Sequence, residues 1–296
     1  MIGVFGGAGF IGRNVVELFV DQGRSVLSLD RRRAPGFENI SCLIEYTNPT
    51  TYLAKIKEIK TAIVLISASV PGTFADDMSG EVKSNILPFT CLVQNLAKGG
   101  VETIVFMSSG GTVYGIPQTV PIKEDHPLIP VSHYGFGKVL MEDILRFTSA
   151  KYGFRSVILR PSNPIGRYQR PGTQGIVSAA VSAALGGTHL DIWGDGSVVR
   201  DFFDVEDLAV AIDLVVRDAD VSGNFNVGSG RGYSIREVVN EVQKITGRTI
   251  DVSYGTPRPF DIQTNVLSYK KLNRSVGWEP SKPLSYSISR KMQGFS

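Results

Sequence analysis

Along the first half of the chain, short apolar blocks alternate with stretches whose apolar residues recur at helical spacing. Ile2, Val4 and Phe5 read as a buried strand, and Phe10, Ile11, Val15, Val16, Leu18, Phe19 and Val20 as the apolar face of a helix ending near Gly23. Strand-like runs recur at 25–29, 41–45, 62–67, 103–108 and 156–159, with helical stretches between most of them, notably 81–98 and 134–152. This alternation predicts an α/β protein, a Rossmann-like doubly wound parallel sheet with helices on both faces. After Arg160 come Pro161, Pro164, Gly166, Pro171, Gly172 and Gly175, then shorter elements with no repeat period. The expected division is a sheet domain over 1–160 and a smaller, discontinuous α/β lobe over 161–296. The amphipathic stretch 204–217 could return to the sheet, bringing part of 204–230 with it.

The turn between the first strand and helix is Gly6-Gly7-Ala8-Gly9-Phe10-Ile11-Gly12. Gly6 permits a tight turn, Gly9 clears the backbone where a pyrophosphate must approach, and Gly12 lets the helix pack closely on the strand. The second strand ends on Asp30, roughly twenty residues on, where a carboxylate can accept hydrogen bonds from an adenine ribose. Asp30 would repel a 2′-phosphate and so favours NAD, although Arg31, Arg32 and Arg33 could tolerate NADP.

Composition narrows the field. At 296 residues, with 42% hydrophobic and 20% charged residues, the chain reads as an ordinary globular protein. A net charge of +3, carried by scattered basic residues, makes no case for nucleic acid or a membrane surface, so the expected partner is small. Cys42 and Cys91 read as reduced core thiols, excluding a disulfide framework. The first strand begins at Met1, and the most apolar stretch, 62–70, is far too short to cross a bilayer, so the expected location is the cytoplasm. His126, His133 and His189 have no companions at ligand spacing, and no metal site is expected.

Tyr134 and Lys138 stand four apart at the start of a helix, on one face. An ammonium about 4 Å from a phenol, at an effective dielectric of about 20, contributes on the order of 4 kcal/mol, or roughly three pKa units, enough to make tyrosine a base near neutral pH. The run 103–108 leads into Ser108-Ser109-Gly110-Gly111-Thr112-Val113-Tyr114-Gly115, placing hydroxyls at the carboxyl end of the sheet, where open α/β folds bind ligands. Thr112 or Ser109 could polarise a substrate oxygen.

Taken together, the glycine turn, Asp30, Asn85, the segment 108–115, the Tyr134/Lys138 pair, the Arg160-Pro161-Ser162-Asn163-Pro164 run, Gly194-Asp195-Gly196, Arg200-Asp201-Phe202 and Arg258-Pro259 with Asp261 resemble the extended short-chain dehydrogenase/reductase family of NAD-dependent sugar-nucleotide epimerases and dehydratases. The resemblance implies an NAD site built from Gly6, Gly9, Phe10, Ile11, Gly12, Asp30, Arg31, Ser67, Ala68, Asn85, Ser108, Tyr134, Lys138 and Pro161. It implies catalysis by Tyr134, Lys138, Thr112 and Ser109, with Tyr134 taking the proton of the sugar C4 hydroxyl and Lys138 holding the cofactor ribose. The carboxyl lobe should bind a nucleoside diphosphate sugar, with Asn163 and Arg200 at the diphosphate, Gln174 nearby, Arg258 and Asp261 at phosphate and ribose, and Ile192 and Trp193 beside the base. Trp193, closing the strand-like run 190–193, also reads as partly core.

Dehydratase relatives carry an Asp and a Glu just after the catalytic Thr, whereas here Gly110, Gly111 and Thr112 occupy that stretch, so elimination lacks its acid and base. The expected reaction is C4 epimerisation of a UDP-hexose, plain or N-acetylated, in polysaccharide precursor synthesis. Glycines beside the sugar would leave it room to turn, and Asn265 lies near the family's sugar-pocket gate. A ketoreductase or 4,6-dehydratase of the same fold is the alternative, and a non-catalytic dinucleotide sensor a third. Gly110 departs from the serine that relatives place there. The resemblance also implies a homodimer through a four-helix bundle of the helices 81–98 and 134–152.

Overall fold

The computed structural model describes residues 1–70, 73, 77–170, 175–257 and 262–293. Its centre is a seven-stranded parallel sheet. In chain order the first six strands are β1 (Ile2–Phe5), β2 (Val26–Asp30), β3 (Ser41–Leu43), β4 (Thr61–Val64), β5 (Thr103–Met107) and β6 (Arg155–Pro161). The spatial order is β3, β2, β1, β4, β5, β6 and then the strand Gly223–Val227, so the order reverses beside β1, where doubly wound sheets open their ligand crevice. Register is in step across the sheet, with Val4 opposite both Ser28 and Ile63.

Alternation along each strand divides two cores. Val4, Val105, Met107, Val157 and Leu159 face the helices Phe10–Asp21 and Val205–Arg217 through Val15, Val16, Phe19, Leu208 and Ile212. Phe5, Ile104, Phe106 and Ile158 face the other side, against Phe89, Leu92 and Leu96 of the helix Leu87–Lys98 and Met141 and Leu145 of His133–Tyr152. The strands are buried on both faces, which is why they read as nearly continuous apolar runs.

A second lobe packs the helices Ile176–Gly186, Ile235–Thr246 and Leu284–Met292 around Val181, Val238, Val242 and Ile288. Its strand Val199–Asp204 is antiparallel to Gly232–Ser234 and parallel to Asn163–Ile165 and Thr264–Asn265. The segment 205–227 leaves this lobe: its helix packs on Phe10–Asp21 and its strand extends the main sheet beyond β6.

The structure departs from the sequence reading at several boundaries. The helix expected over 81–98 is Met78–Glu81, a wide π turn at Val82–Ile86, and then Leu87–Lys98. Pro88 lies in the first turn of that last segment and has no N–H to continue the i→i−4 ladder, and the wide turn absorbs the missing bond. The third strand ends at Leu43 because Glu45 turns back to bridge Asn48. Trp193 lies outside the strand Leu190–Ile192 and is 57% exposed, so it is not a core residue. No helix among the described residues is long and apolar enough to cross a membrane.

Candidate functional site

The first helix begins where the backbone of β1 turns through Gly6, at φ +93°, a region that side chains rarely tolerate. Gly12 is held to glycine by space, since a Cβ there would stand 2.1 Å from the Gly6 carbonyl oxygen. Gly9 is the N-cap residue and Phe10 and Ile11 form the first turn, whose N–H groups have no partner within the helix and suit an anion. Asp30 at the end of β2 accepts from the Ala8 N–H at 3.1 Å and the Arg31 N–H at 2.7 Å, which ties the glycine turn to the second strand.

A cavity of about 470 Å³ opens here, lined by Gly6, Gly9, Asp30, Arg31, Ser67, Ala68 and Asn85, and also by Arg32, Tyr46 and Phe89. Asn85, turned in by the π segment, accepts from the Ala68 N–H at 2.7 Å and so fixes the loop after β4. The residues fit a dinucleotide: a side-chain-free anion cradle at one end, a carboxylate for ribose hydroxyls in the middle, and polar groups after β4 at the other. Arg32 reaches back to the Ala8 carbonyl at 3.5 Å, while Tyr46 donates to the Leu29 carbonyl at 3.2 Å and is pushed up by burial and by Asp30. Tyr46 carries no signal in the sequence, because it lies in an aperiodic turn, whereas Arg32 belongs to the arginine run read above as compatible with NADP.

The catalytic candidates gather at the ends of β4 and β5. Ser132 caps the long helix by accepting from the Gly135 N–H at 3.1 Å, and a Cβ at Gly135 would fall 2.6 Å from the Thr112 carbonyl, so this helix start presses onto the turn after β5. Ser109 and Ser67 stand beside the Tyr134 phenol. Lys138, buried, donates to the carbonyl of Met107 at 3.0 Å and lies 5.6 Å from the Tyr134 ring centre.

The electrostatics differ from the expectation of a depressed tyrosine. Burial pushes the phenol up to about 12 and the negative charge of Glu81 adds to this, with Ser109 and Ser67 pulling the other way. Burial also brings the Lys138 ammonium down to about 8, opposed by Glu81 and Glu142. Desolvation leads both shifts, and the ammonium donates to a main-chain carbonyl.

The other hydroxyls separate by role. Ser108 donates to Glu142, whose carboxylate takes a bidentate pair of bonds from buried Arg160 at 2.9 and 2.6 Å; its hydroxyl belongs to this scaffold. The Thr112 Oγ1 is buried with no partner among the described residues, an orphaned group where a substrate oxygen would be welcome. The Pro161 carbonyl accepts from the Gly110 N–H at 2.8 Å. A Cβ on Gly110 would lie 2.4 Å from Leu267 Cδ1 and 2.8 Å from the Arg160 oxygen, so the space expected for a turning sugar at that glycine is filled. Gly111, by contrast, would meet only Ser109 Oγ, at 4.0 Å.

On the lobe side, Asn163 donates to the Asp201 carbonyl at 2.9 Å and Arg200 to the Val199 and Ile262 carbonyls at 2.9 and 2.6 Å. Ile192 is buried in the lobe core, whereas Trp193 faces outward. Asn265 donates to the Gly110 carbonyl at 3.3 Å, and its own oxygen has no partner among the described residues. Gln174, Arg258 and Asp261 lie outside the described residues. No group of three or more His, Cys, Asp or Glu among the described residues could hold a metal ion.

A doubly wound sheet with a glycine anion cradle, a ribose carboxylate and a Tyr/Lys pair at its carboxyl edge defines a dinucleotide-dependent enzyme that acts on a hydroxyl or carbonyl carbon. The chain belongs to the NAD dependent epimerase/dehydratase family, whose sequence model matches residues 2–228. It is 31% identical over 297 residues, 98% of this chain and 96% of the relative, to a putative UDP-glucose 4-epimerase of Methanocaldococcus jannaschii. It is 30% identical to a dTDP-4-dehydro-6-deoxyglucose reductase of Escherichia coli, over 97% of this chain and 95% of that one. The structure superposes with a TM-score of 0.92 on UDP-glucose 4-epimerase of Thermotoga maritima with UDP-glucose, at 28% identity, covering 99% of this chain and 98% of the other.

Proposed function

We propose that this enzyme interconverts C4 epimers of a UDP-hexose, of the glucose/galactose type or its N-acetyl forms, through a transient 4-keto sugar. One observation carries the choice within the family. The turn after β5 offers the substrate only hydroxyls and glycines, and Leu267 closes the Gly110 position to any larger side chain, leaving neither an acid for O6 nor a base for C5 there.

NAD, held between the glycine turn, Asp30 and the loop after β4, would supply the two-electron oxidant for C4. Tyr134, beside Ser109 and Ser67, takes the C4 hydroxyl proton and later returns it. Lys138, anchored at the end of β5, provides the neighbouring cation, and Thr112 offers its unpartnered hydroxyl to O4. Asn163, Arg200, Gln174, Arg258 and Asp261 are proposed to hold the nucleotide diphosphate, with Trp193 available to its base. Residues 1–160, with the returning segment 205–227, are proposed to bind NAD, and the remaining lobe the sugar nucleotide.

The test is incubation of the purified protein with UDP-, GDP- and dTDP-sugars and catalytic NAD, with products followed by NMR. Interconversion of one C4 epimer pair, without net change in NADH, is expected; its absence across the panel would refute the reading. The reductase relative supports the rival, an NDP-sugar ketoreductase, which would consume reduced cofactor in stoichiometric amount.

A homodimer through the helices Leu87–Lys98 and His133–Tyr152 is also proposed, supported by Leu87 and Phe147, which are 57% and 70% exposed on them. Phe147→Glu should then shift the protein from dimer to monomer in sedimentation. Supply of precursors for polysaccharide synthesis is the role this reaction would serve.

A further inference from the structure

Glu81 is a fully buried carboxylate, and among the described residues it has no Lys or Arg within ion-pair distance. Ser69 donates to its Oε2 at 2.8 Å and the Asn85 amide to its Oε1 at 3.0 Å, while the same amide also bonds Ser69 at 2.8 Å. Two hydrogen bonds satisfy shape but not charge, and a buried carboxylate without a cation is expensive unless its field is used. The field is directed at one place. A Cβ on Gly137 would lie 2.7 Å from Glu81 Oε1 and 3.0 Å from its Cγ, so the carboxylate lies against the helix backbone between Tyr134 and Lys138.

The surroundings leave that pair as its partners. On the long helix the ionisable groups that feel it are Tyr134 and Lys138, whereas Glu142, which also faces Lys138, is already paired with Arg160 of β6 and Arg146. On its own segment, Asp77 and Lys83 are exposed. The network also touches the cofactor loop, since Asn85 holds the Ala68 N–H and the Ser67 hydroxyl donates to the Ser69 carbonyl at 2.9 Å.

We propose that Glu81 is a positioning residue of the catalytic site: its carboxylate, clamped by Ser69 and Asn85 against Gly137, is the buried counter-charge that keeps the Lys138 ammonium protonated at working pH and fixes the loop carrying Ser67. The directions agree, because the Glu81 charge raises both Lys138 and Tyr134. The cost is that the same charge resists formation of the tyrosinate, so Glu81 sets a working window for the pair and does not simply activate it.

The proposal uses the epimerase reading only for its activity arm, and its primary readout needs no substrate. The lysine side-chain Cε signals of 13C-labelled protein are titrated by NMR, with Lys138 assigned by its absence in Lys138→Met. The wild-type Lys138 midpoint is expected near 8, and in Glu81→Gln it should fall by on the order of one pH unit or more. Glu81→Asp, which withdraws the charge by one methylene, should move it in the same direction by less. If Glu81→Gln does not fold, the Glu81→Asp titration decides alone. An unchanged Lys138 midpoint in a variant that melts cooperatively overturns the proposal. In the activity arm the alkaline limb of the pH–rate profile should move to lower pH by the same shift, which a purely structural role would not produce; an unmoved limb overturns the proposal as well. A shifted lysine in a protein without epimerase activity would refute the epimerase reading and leave this one standing.

Discussion

The two sides of the cleft are built on opposite plans. On the sheet side each candidate site group ends or follows its own strand by a few residues: the glycine turn after β1, Asp30 at the end of β2, Ser67 after β4 and Ser109 after β5. On the lobe side the supporting group is Asp201, fully buried, which gathers the Ser229 N–H at 2.8 Å, the Ser229 hydroxyl at 2.6 Å, the Gly230 N–H at 3.3 Å and the Leu267 N–H at 3.1 Å. One carboxylate therefore joins three stretches of chain distant in sequence. Its burial pushes the carboxyl up to about 6, only partly offset by those donors. Local strand-to-turn chemistry makes the first half robust and readable, whereas the second depends on polar groups that meet only after folding.

If that contrast is right, perturbing chemistry and perturbing architecture should separate. Tyr134→Phe removes the proton acceptor without a cavity and should lower kcat by about 10²- to 10⁴-fold while leaving the melting temperature and NAD affinity near wild type. A variant with more than a tenth of wild-type turnover would remove Tyr134 from the chemistry. Asp201→Asn places an amide donor among N–H donors and should cost about 2–4 kcal/mol in urea unfolding. A loss below about 1 kcal/mol would show that this carboxylate does not hold the lobe.

Gly12→Ala tests the local side of the comparison. With the added methyl 2.1 Å from a backbone oxygen, the helix must move, at about 1–3 kcal/mol and with weakened NAD binding by calorimetry. Wild-type affinity in that variant would mean that the close approach is incidental.

A graded effect is a pH slope from Lys138. Its folded value, about 8, lies below the ordinary 10.5, so between these values the unfolded chain binds the extra proton and stability rises with pH. Over the same window activity should fall as the ammonium is lost. Unfolding free energies across it, compared with Lys138→Met, should lose this slope in the variant; an identical slope would place the titration elsewhere.

How much was legible follows from the same division. The sheet, Asp30, the Tyr134/Lys138 spacing and the hydroxyls of 108–112 could be read directly, because periodicity and short motifs encode contacts within one βα unit. The depression of the phenol pKa could not, since it was inferred from spacing alone and the sign reversed once burial and Glu81 entered. Glu81 is a charge four residues before Asn85 within an otherwise amphipathic helix; that spacing is visible in the sequence, but its burial is not. Ser108 resembled a ligand hydroxyl until Glu142 was seen to claim it, and Trp193 resembled core until the strand ended one residue earlier.

By itself, the sequence determined the strand-turn-helix units, the anion cradle and the residue types available for chemistry, because each is settled by neighbours a few positions apart. The tertiary structure alone decided which of those groups are desolvated, which are already bonded and which still lack a partner. It set the carboxylate of Glu81 against Gly137, Leu267 against Gly110, and the Thr112 hydroxyl without a partner among the described residues. Proton affinity and steric room depend on atoms brought together from distant parts of the chain, and no local pattern carries that information.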